Sequence, residues 1–192
     1  MAPNLPFRNL LKALNFYTEN ENLKKEAEKL LGRFDIGFSE LQIEEKEFKD
    51  GPVLQPYAVH EVHGTKYLLN LAYESSGTKQ MLVLLKNILT ALKHGGNVVI
   101  DEFDVNLHPE MTRELLDLFI QSETNPHNAQ ILFSTHTHTT LNELDKYQII
   151  LVGKNKNSVS EAWRLDEMPG VRSDDNYFGK YLAGAYGGVP NL

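Results

Sequence analysis

Three short, uninterrupted apolar runs, Val98-Val99-Ile100, Ile131-Leu132-Phe133 and Ile149-Ile150-Leu151-Val152, are spaced along the C-terminal half with helical segments between them. A strand with one wet face alternates apolar and polar residues, whereas a continuous run suits a strand covered on both faces, as in a parallel sheet between layers of helix. This half of the chain therefore reads as α/β, a mainly parallel sheet flanked by helices. The helix between the first two runs is expected to open near Pro109, which suits a first helical turn, and to carry Met111, Leu115, Leu118 and Phe119. Ahead of the first run, Met81, Leu84, Leu85, Ile88, Leu89 and Leu92 recur at helical spacing, and Gly95-Gly96 closes that helix.

The rest of the chain is read the same way. Leu10, Leu11, Leu14, Phe16 and Tyr17, then Leu23, Ala27, Leu30 and Leu31, predict two helices or one broken helix ended by Gly32. Residues Phe38 to Phe48 suit a half-exposed strand, Asp50-Gly51-Pro52 is a turn signal, and Tyr57 to Val62 is a second strand. Beyond Val152, Lys154 to Asn157 is a polar turn, and Val159 to Leu165 is a strand pairing back on its predecessor. The Gly- and Tyr-rich tail from Asp174 to Leu192 follows no clear pattern.

Composition removes several classes of function. The 192 residues leave room for one ordinary domain rather than two full enzymatic ones. With no cysteine, a disulfide framework, a zinc-thiolate site and a thiol nucleophile are excluded. Nineteen Lys and Arg against 26 Asp and Glu give a net charge of −7, which argues against a surface devoted to nucleic acid. Residues Met1 to Leu10 lack the basic, apolar and small-residue succession of a secretory signal, and no apolar run approaches the roughly 20 residues of a membrane span. The expected location is cytoplasmic.

The chemistry concentrates at the ends of the apolar runs. Asp101 and Glu102 directly follow Val98-Val99-Ile100. Two adjacent carboxylates at the carboxyl end of a buried strand need a cation or hydrogen bonds to receive them, and that crest is where open α/β sheets bind ligands. In nucleotide hydrolases the first carboxylate of such a pair holds Mg2+ and the second polarises the attacking water. Glu74-Ser75-Ser76-Gly77-Thr78-Lys79-Gln80 precedes the long helix. It offers hydroxyls and backbone N–H groups to an anion, although Ser-Ser-Gly there is equally an ordinary N-cap. His136 ends the next run, 35 residues beyond Asp101, on the same crest if the two strands are neighbours.

These elements, in this order, resemble the ABC-type ATPases, in the soluble branch that includes SMC-like and RecF-like repair ATPases and the RloA-like anti-phage, abortive-infection ATPases. Ser75 to Gln80 resembles a divergent signature motif, Val98 to Glu102 the Walker B strand, His136 the switch histidine, and Val105 to His108 the D-loop. The tail, in Asp175 to Leu182 and Tyr186 to Pro190, is similar to the RloA-like group. The resemblance runs from about Tyr73 to the end, so the chain divides into residues 1–72, corresponding to the middle of a family member, and 73–192, an ATPase C-terminal subdomain. The family's phosphate loop, Gly-x-x-x-x-Gly-Lys-[Ser/Thr], is missing: five positions before Gly153-Lys154 stands Gln148, and before Gly179-Lys180 stands Asp174.

What the resemblance implies is a P-loop ATPase lacking its N-terminal phosphate-loop half, which is supplied in cis or in trans. ATP and Mg2+ lie between two copies of the protein, so that nucleotide drives dimerisation. Asp101 serves Mg2+ through water, Glu102 accepts a proton from the attacking water, and His136 senses the terminal phosphate. Ser75, Ser76, Gly77 and Thr78 approach the nucleotide from the opposite subunit, with the Ser76 hydroxyl and the Gly77 and Thr78 amides as donors. His108 closes the D-loop. DNA or RNA is an implied effector, the isolated chain is expected to be inactive, and the pathway is repair or phage defence.

Two other readings stay open. A metal-dependent hydrolase or nuclease would use Asp101, Asp104, His108, His136 and His138. A non-catalytic half would only lend signature residues to a partner. The pair His60 and His63 is three apart, not the four that a metalloprotease helix requires.

Overall fold

The computed structural model describes residues 5–34, 37–48 and 51–189. Asp50 of the expected turn and Pro190 of the tail motif lie outside them. The chain forms two compact units, residues 1–134 and 135–192. The boundary expected after residue 72 falls inside the first unit, where a strand runs through a short 3-10 turn into the cap of a helix.

The first unit begins with two helices, α1 (Leu5–Glu19) and α2 (Glu21–Arg33). An antiparallel meander follows, β1 (Phe38–Phe48), β2 (Gly51–Val62) and β3 (Thr65–Asn70), in the order β1-β2-β3. Then come α3 (Ser76–His94), β4 (Asn97–Ile100), α4 (Pro109–Ile120) and β5 (Gln130–Phe133). The helix pair, the first meander strand, α3 and α4 agree with the sequence reading. β3 has no counterpart there: its Thr-Lys-Tyr-Leu-Leu-Asn is exposed along nearly its whole length, so no inward-facing period marks it.

The helices are held by one core. Met81, Leu82, Leu85 and Ile88 of α3 are fully buried together with Tyr17 and Leu31. Tyr17 fastens α1 to α3 by donating its hydroxyl to the Leu82 carbonyl at 2.8 Å, and its burial pushes the phenol well above its usual range. Glu28 joins α2 to the meander by accepting the Leu41 N–H at 2.8 Å.

The sheet departs from expectation. β4 and β5 pair in parallel, Val98 with Ile131, Val99 with Leu132 and Ile100 with Phe133, as expected of neighbouring strands on one crest. The third apolar run does not extend that ladder. In the second unit it forms β6 (Ile150–Lys154), which pairs antiparallel with β7 (Ser160–Arg164), so the sheets are mixed rather than mainly parallel. Nor are β4 and β5 covered on both faces: Val98 and Ile100 are buried, whereas Val99 is 72 % and Leu132 61 % exposed. A continuous apolar run reports that both faces suit an apolar neighbour; it does not say which chain provides that neighbour.

The second unit has its own small core of Ile149, Leu151, Leu165, Tyr177 and Tyr186, completed by the short helix α5 (Tyr177–Leu182). Two of the tail's glycines, Gly187 and Gly188, pass against Trp163, whose indole N–H donates to the Tyr186 carbonyl at 3.0 Å. Gly187 has φ +70°, and a Cβ there would lie 3.1 Å from the indole. Among the described residues no helix is long and apolar enough to cross a membrane.

Burial, the largest influence, raises the Glu28 pKa against the opposing pull of the Leu41 N–H and Lys24. The folded chain then holds this proton more tightly than the unfolded chain, so the associated stability is present in acid and is lost as pH rises through the raised value. Glu28→Gln keeps an oxygen for the Leu41 N–H and removes the charge. Its thermal midpoint should exceed that of the parent near neutral pH and converge with it below the ordinary carboxylate range, as read by circular dichroism.

Candidate functional site

The carboxyl end of β4 is fastened to the end of β5 through one residue, Ser134. Its N–H donates to the Ile100 carbonyl at 3.1 Å, and its own carbonyl accepts from the Phe103 N–H at 2.9 Å. Its hydroxyl donates to Asp101 Oδ1 at 2.5 Å and accepts the Glu102 N–H at 2.8 Å. The Asp101 carboxylate and the Glu102 backbone are therefore held at the crest, and both residues are exposed. Glu102 is left-handed, with φ +51°, a conformation that costs a residue with a side chain roughly 1–3 kcal/mol and persists where surrounding bonds impose it. Fully buried Phe103, packed on Phe133 with ring centroids 5.1 Å apart, anchors the turn that imposes it.

Ser134 was not among the residues picked out from sequence. A serine two places before the candidate histidine carries little signal alone, and only the parallel pairing of β4 with β5 brings it opposite Asp101. Asn106 was likewise missed. It is left-handed at φ +63°, and a Cβ on Gly77 would stand 2.6 Å from its carbonyl oxygen. The start of α3 and the loop after β4 thus touch backbone to backbone, which only glycine permits.

At that helix start the four candidate residues divide. Ser75 is the N-cap: its hydroxyl accepts the Thr78 N–H at 2.9 Å and lies 2.8 Å from the Thr78 hydroxyl. Thr78 is 3 % exposed. Its side chain faces inward and its amide is taken by the cap, so it does not offer that amide to a ligand as expected. Ser76 is exposed, and the Ser76 and Gly77 N–H groups belong to the first turn, where a helix has no internal acceptor for them. They are the donors this end of α3 presents to an anion.

Glu74, just before the cap, has a side chain only 8 % exposed and lies 2.6 Å from His60 Nε2, which ties the segment to β2. His108 is the N-cap of α4, its Nδ1 accepting the Glu110 N–H at 3.3 Å. That is a structural task, and it leaves Nε2 as the atom able to meet a ligand. Asp101 and Glu102 belong to the first unit and His136, which is exposed, to the second.

The chemistry of the donors limits what can be held here. One carboxylate suits Mg2+, which keeps most of its water and takes further oxygens from substrate phosphates. Among the described residues no group of three or more His, Asp or Glu could hold a metal ion by itself, which removes support from the reading based on Asp101, Asp104, His108, His136 and His138.

A parallel strand pair ending in fixed acids, with a helix whose first turn meets the following loop, is the arrangement of a nucleotide-binding α/β domain. Residues 2–142 match the family described as "AAA domain, putative AbiEii toxin, Type IV TA system", and the chain belongs to that family. The chain is also similar to a solved structure described as the SmcHead bound to the C-winged helix domain of ScpA. It is 15 % identical, with 74 % of this chain and 42 % of that chain covered and a TM-score of 0.49. The chain thus spans less than half the length of that relative. No curated protein matches it.

Gly77→Ala should force the start of α3 away from Asn106 and cost about 1–3 kcal/mol in urea unfolding. Ser76→Ala, at an exposed position, should stay within about 0.5 kcal/mol of the parent.

Proposed function

We propose that this chain is the signature- and Walker B-bearing part of an ATP-hydrolysing ABC-type ATPase of the RloA-like, anti-phage kind, completed by a phosphate-loop segment in cis or in trans. The observation that carries the reading is Ser134 holding Asp101 and Glu102 together at the crest of a parallel strand pair. A pair of merely solvated acids at a strand end has no need of a shared hydroxyl or of a left-handed glutamate.

Family membership supports nucleotide binding of the AAA type. The exposed apolar face formed by Val99 and Leu132 supports an added segment, because a neighbouring pair of large apolar side chains on a sheet gains from being covered. The absent phosphate-loop pattern says what that segment must bring.

Mg2+ bound with ATP neutralises phosphate charge and orients the terminal phosphoryl group for in-line attack. Around it, Asp101 holds the metal's water shell through the oxygen that Ser134 leaves free. Glu102, fixed by its backbone, orients the attacking water and takes its proton. His136 hydrogen-bonds the terminal phosphate. Ser76, with the Ser76 and Gly77 amides, meets the nucleotide of a second copy, so that ATP bridges a dimer. DNA or RNA is the proposed effector.

The test uses the chain supplied with a phosphate-loop segment, fused to it or added as a separate polypeptide. That protein should hydrolyse Mg-ATP, and Glu102→Gln should lower turnover about 100-fold or more, the share a positioned base supplies. Its ATP-driven dimer should persist, as measured by light scattering. Undiminished turnover in Glu102→Gln would remove the role given to Glu102. Turnover by the 192-residue chain alone would remove the need for the added segment.

A further inference from the structure

At the end of α3 remote from Ser76, roughly 25 Å along the helix axis, a groove of about 660 Å3 opens between α2, the last turns of α3 and the loop after α4. We propose that this groove docks an acidic, amphipathic helix of a partner protein. The inference stands apart from the ATPase reading, since none of the residues placed in that site lines the groove.

The floor is apolar, formed by Leu30, Leu89, Leu92 and Leu118, core side chains 5–9 % exposed that offer the groove only their outer edges. The rim carries four cations, Lys25, Lys29, Arg33 and Lys93, against two carboxylates, Glu26 and Glu123. In a chain of net charge −7 that is a local reversal of sign. Lys25 and Arg33 have carboxylate partners at 3.9 and 3.0 Å, whereas Lys29 and Lys93 have no ion-pair partner among the described residues. An occupant that buries apolar side chains on the leucines and sets carboxylates against these two lysines satisfies both parts of the surface.

The walls are built in advance. Buried Asn125 donates to the Phe119 and Ala129 carbonyls at 2.9 Å each and accepts the Ala129 N–H at 2.7 Å. Thr124 donates its hydroxyl to the Leu118 carbonyl at 2.7 Å. Gly95, at φ +67°, lets the end of α3 approach the loop, since a Cβ there would lie 2.8 Å from the His127 carbonyl oxygen. A wall ordered before binding does not charge its ordering entropy to the complex.

The lining also selects the kind of occupant. It is made of helices and a loop, with no strand edge to pair with an extended peptide, so a segment that satisfies its own backbone fits better. It contains no Phe, Tyr or Trp on which a nucleic-acid base could stack.

The test is fluorescence anisotropy on the 192-residue chain with a labelled helical peptide that carries Leu at i, i+3, i+4 and i+7 and Glu between them. Binding should weaken as salt rises. It should fall about tenfold in the double variant Lys29→Glu, Lys93→Glu, both at exposed positions that leave the fold intact by circular dichroism. Replacing the peptide's Leu by Ala should abolish it. Failure of the peptide to bind, equal binding of its Glu-to-Gln counterpart, or an unchanged affinity in the double variant would overturn the proposal. So would tighter binding of a labelled oligo-dT lost in the same variant, which would assign the surface to nucleic acid. ATP hydrolysis enters none of these readouts, so a failure here is distinct from a failure of the ATPase reading.

Discussion

Everything at the crest of the parallel pair depends on Ser134. Four hydrogen bonds through its amide, carbonyl and hydroxyl join the end of β5 to Ile100, Asp101, Glu102 and Phe103. Removing the hydroxyl alone would leave the strand pairing in place, release the Asp101 carboxylate and take one bond from the Glu102 backbone, because the ladder bonds use the main chain. The division is physically useful. The fold is carried by the main chain and the setting of the Asp101 carboxylate by one side chain, so that acid can be tuned without unmaking the sheet. It also accounts for a glutamate in a left-handed turn: the strain at Glu102 is borne by the buried Phe103 ring and the bonds on either side of it.

Much of this was legible in the sequence, for identifiable reasons. α3 and α4 announce themselves because a helix that buries one face must repeat apolar residues at helical spacing, and Pro109 and Gly95 mark an opening and an end. Val98 to Glu102 announces itself because acids after an apolar run are costly without a purpose. What stayed hidden depends on partners distant in the chain. Ser134 acquires meaning only through the register that sets Ile100 beside Phe133. Gly77 looks like part of a helix cap until Asn106 is found against it. The strand nature of Ile149 to Val152 and its pairing with the strand that follows were readable and are found, but its exclusion from the β4–β5 ladder was not, since an apolar run does not name its partner.

The serine pair shows how finely local chemistry decides roles. Ser75 and Ser76 are indistinguishable in composition, yet Ser75 spends its hydroxyl on the Thr78 amide and Ser76 does not. The difference follows from helix geometry: the residue before the first turn is the one whose side chain reaches back to the third amide. The same geometry turns Thr78 inward and leaves the Ser76 and Gly77 amides without internal acceptors. A four-residue motif that reads as one ligand site thus separates into a brace, made by Ser75 and Thr78, and a presenting edge, made by Ser76 and Gly77.

The long helix α3 gives these local arrangements a common frame. Its first turn meets the loop that follows the acids, and its last turns line the cationic groove, with Met81, Leu85 and Ile88 buried between. A helix packed along its middle moves as a rigid body or not at all, since its core side chains cannot slide by a fraction of a turn without opening voids. A displacement imposed at Gly77 would therefore be carried toward Leu89 and Leu92, and one imposed at the groove toward Asn106. Coupling in both directions follows from that rigidity only if α3 has two packed positions, because a ligand shifts an equilibrium by no more than its preference for one state over the other. With a single position, the groove and the acids would share a helix and nothing else, and a peptide in the groove would leave the setting of Glu102 untouched.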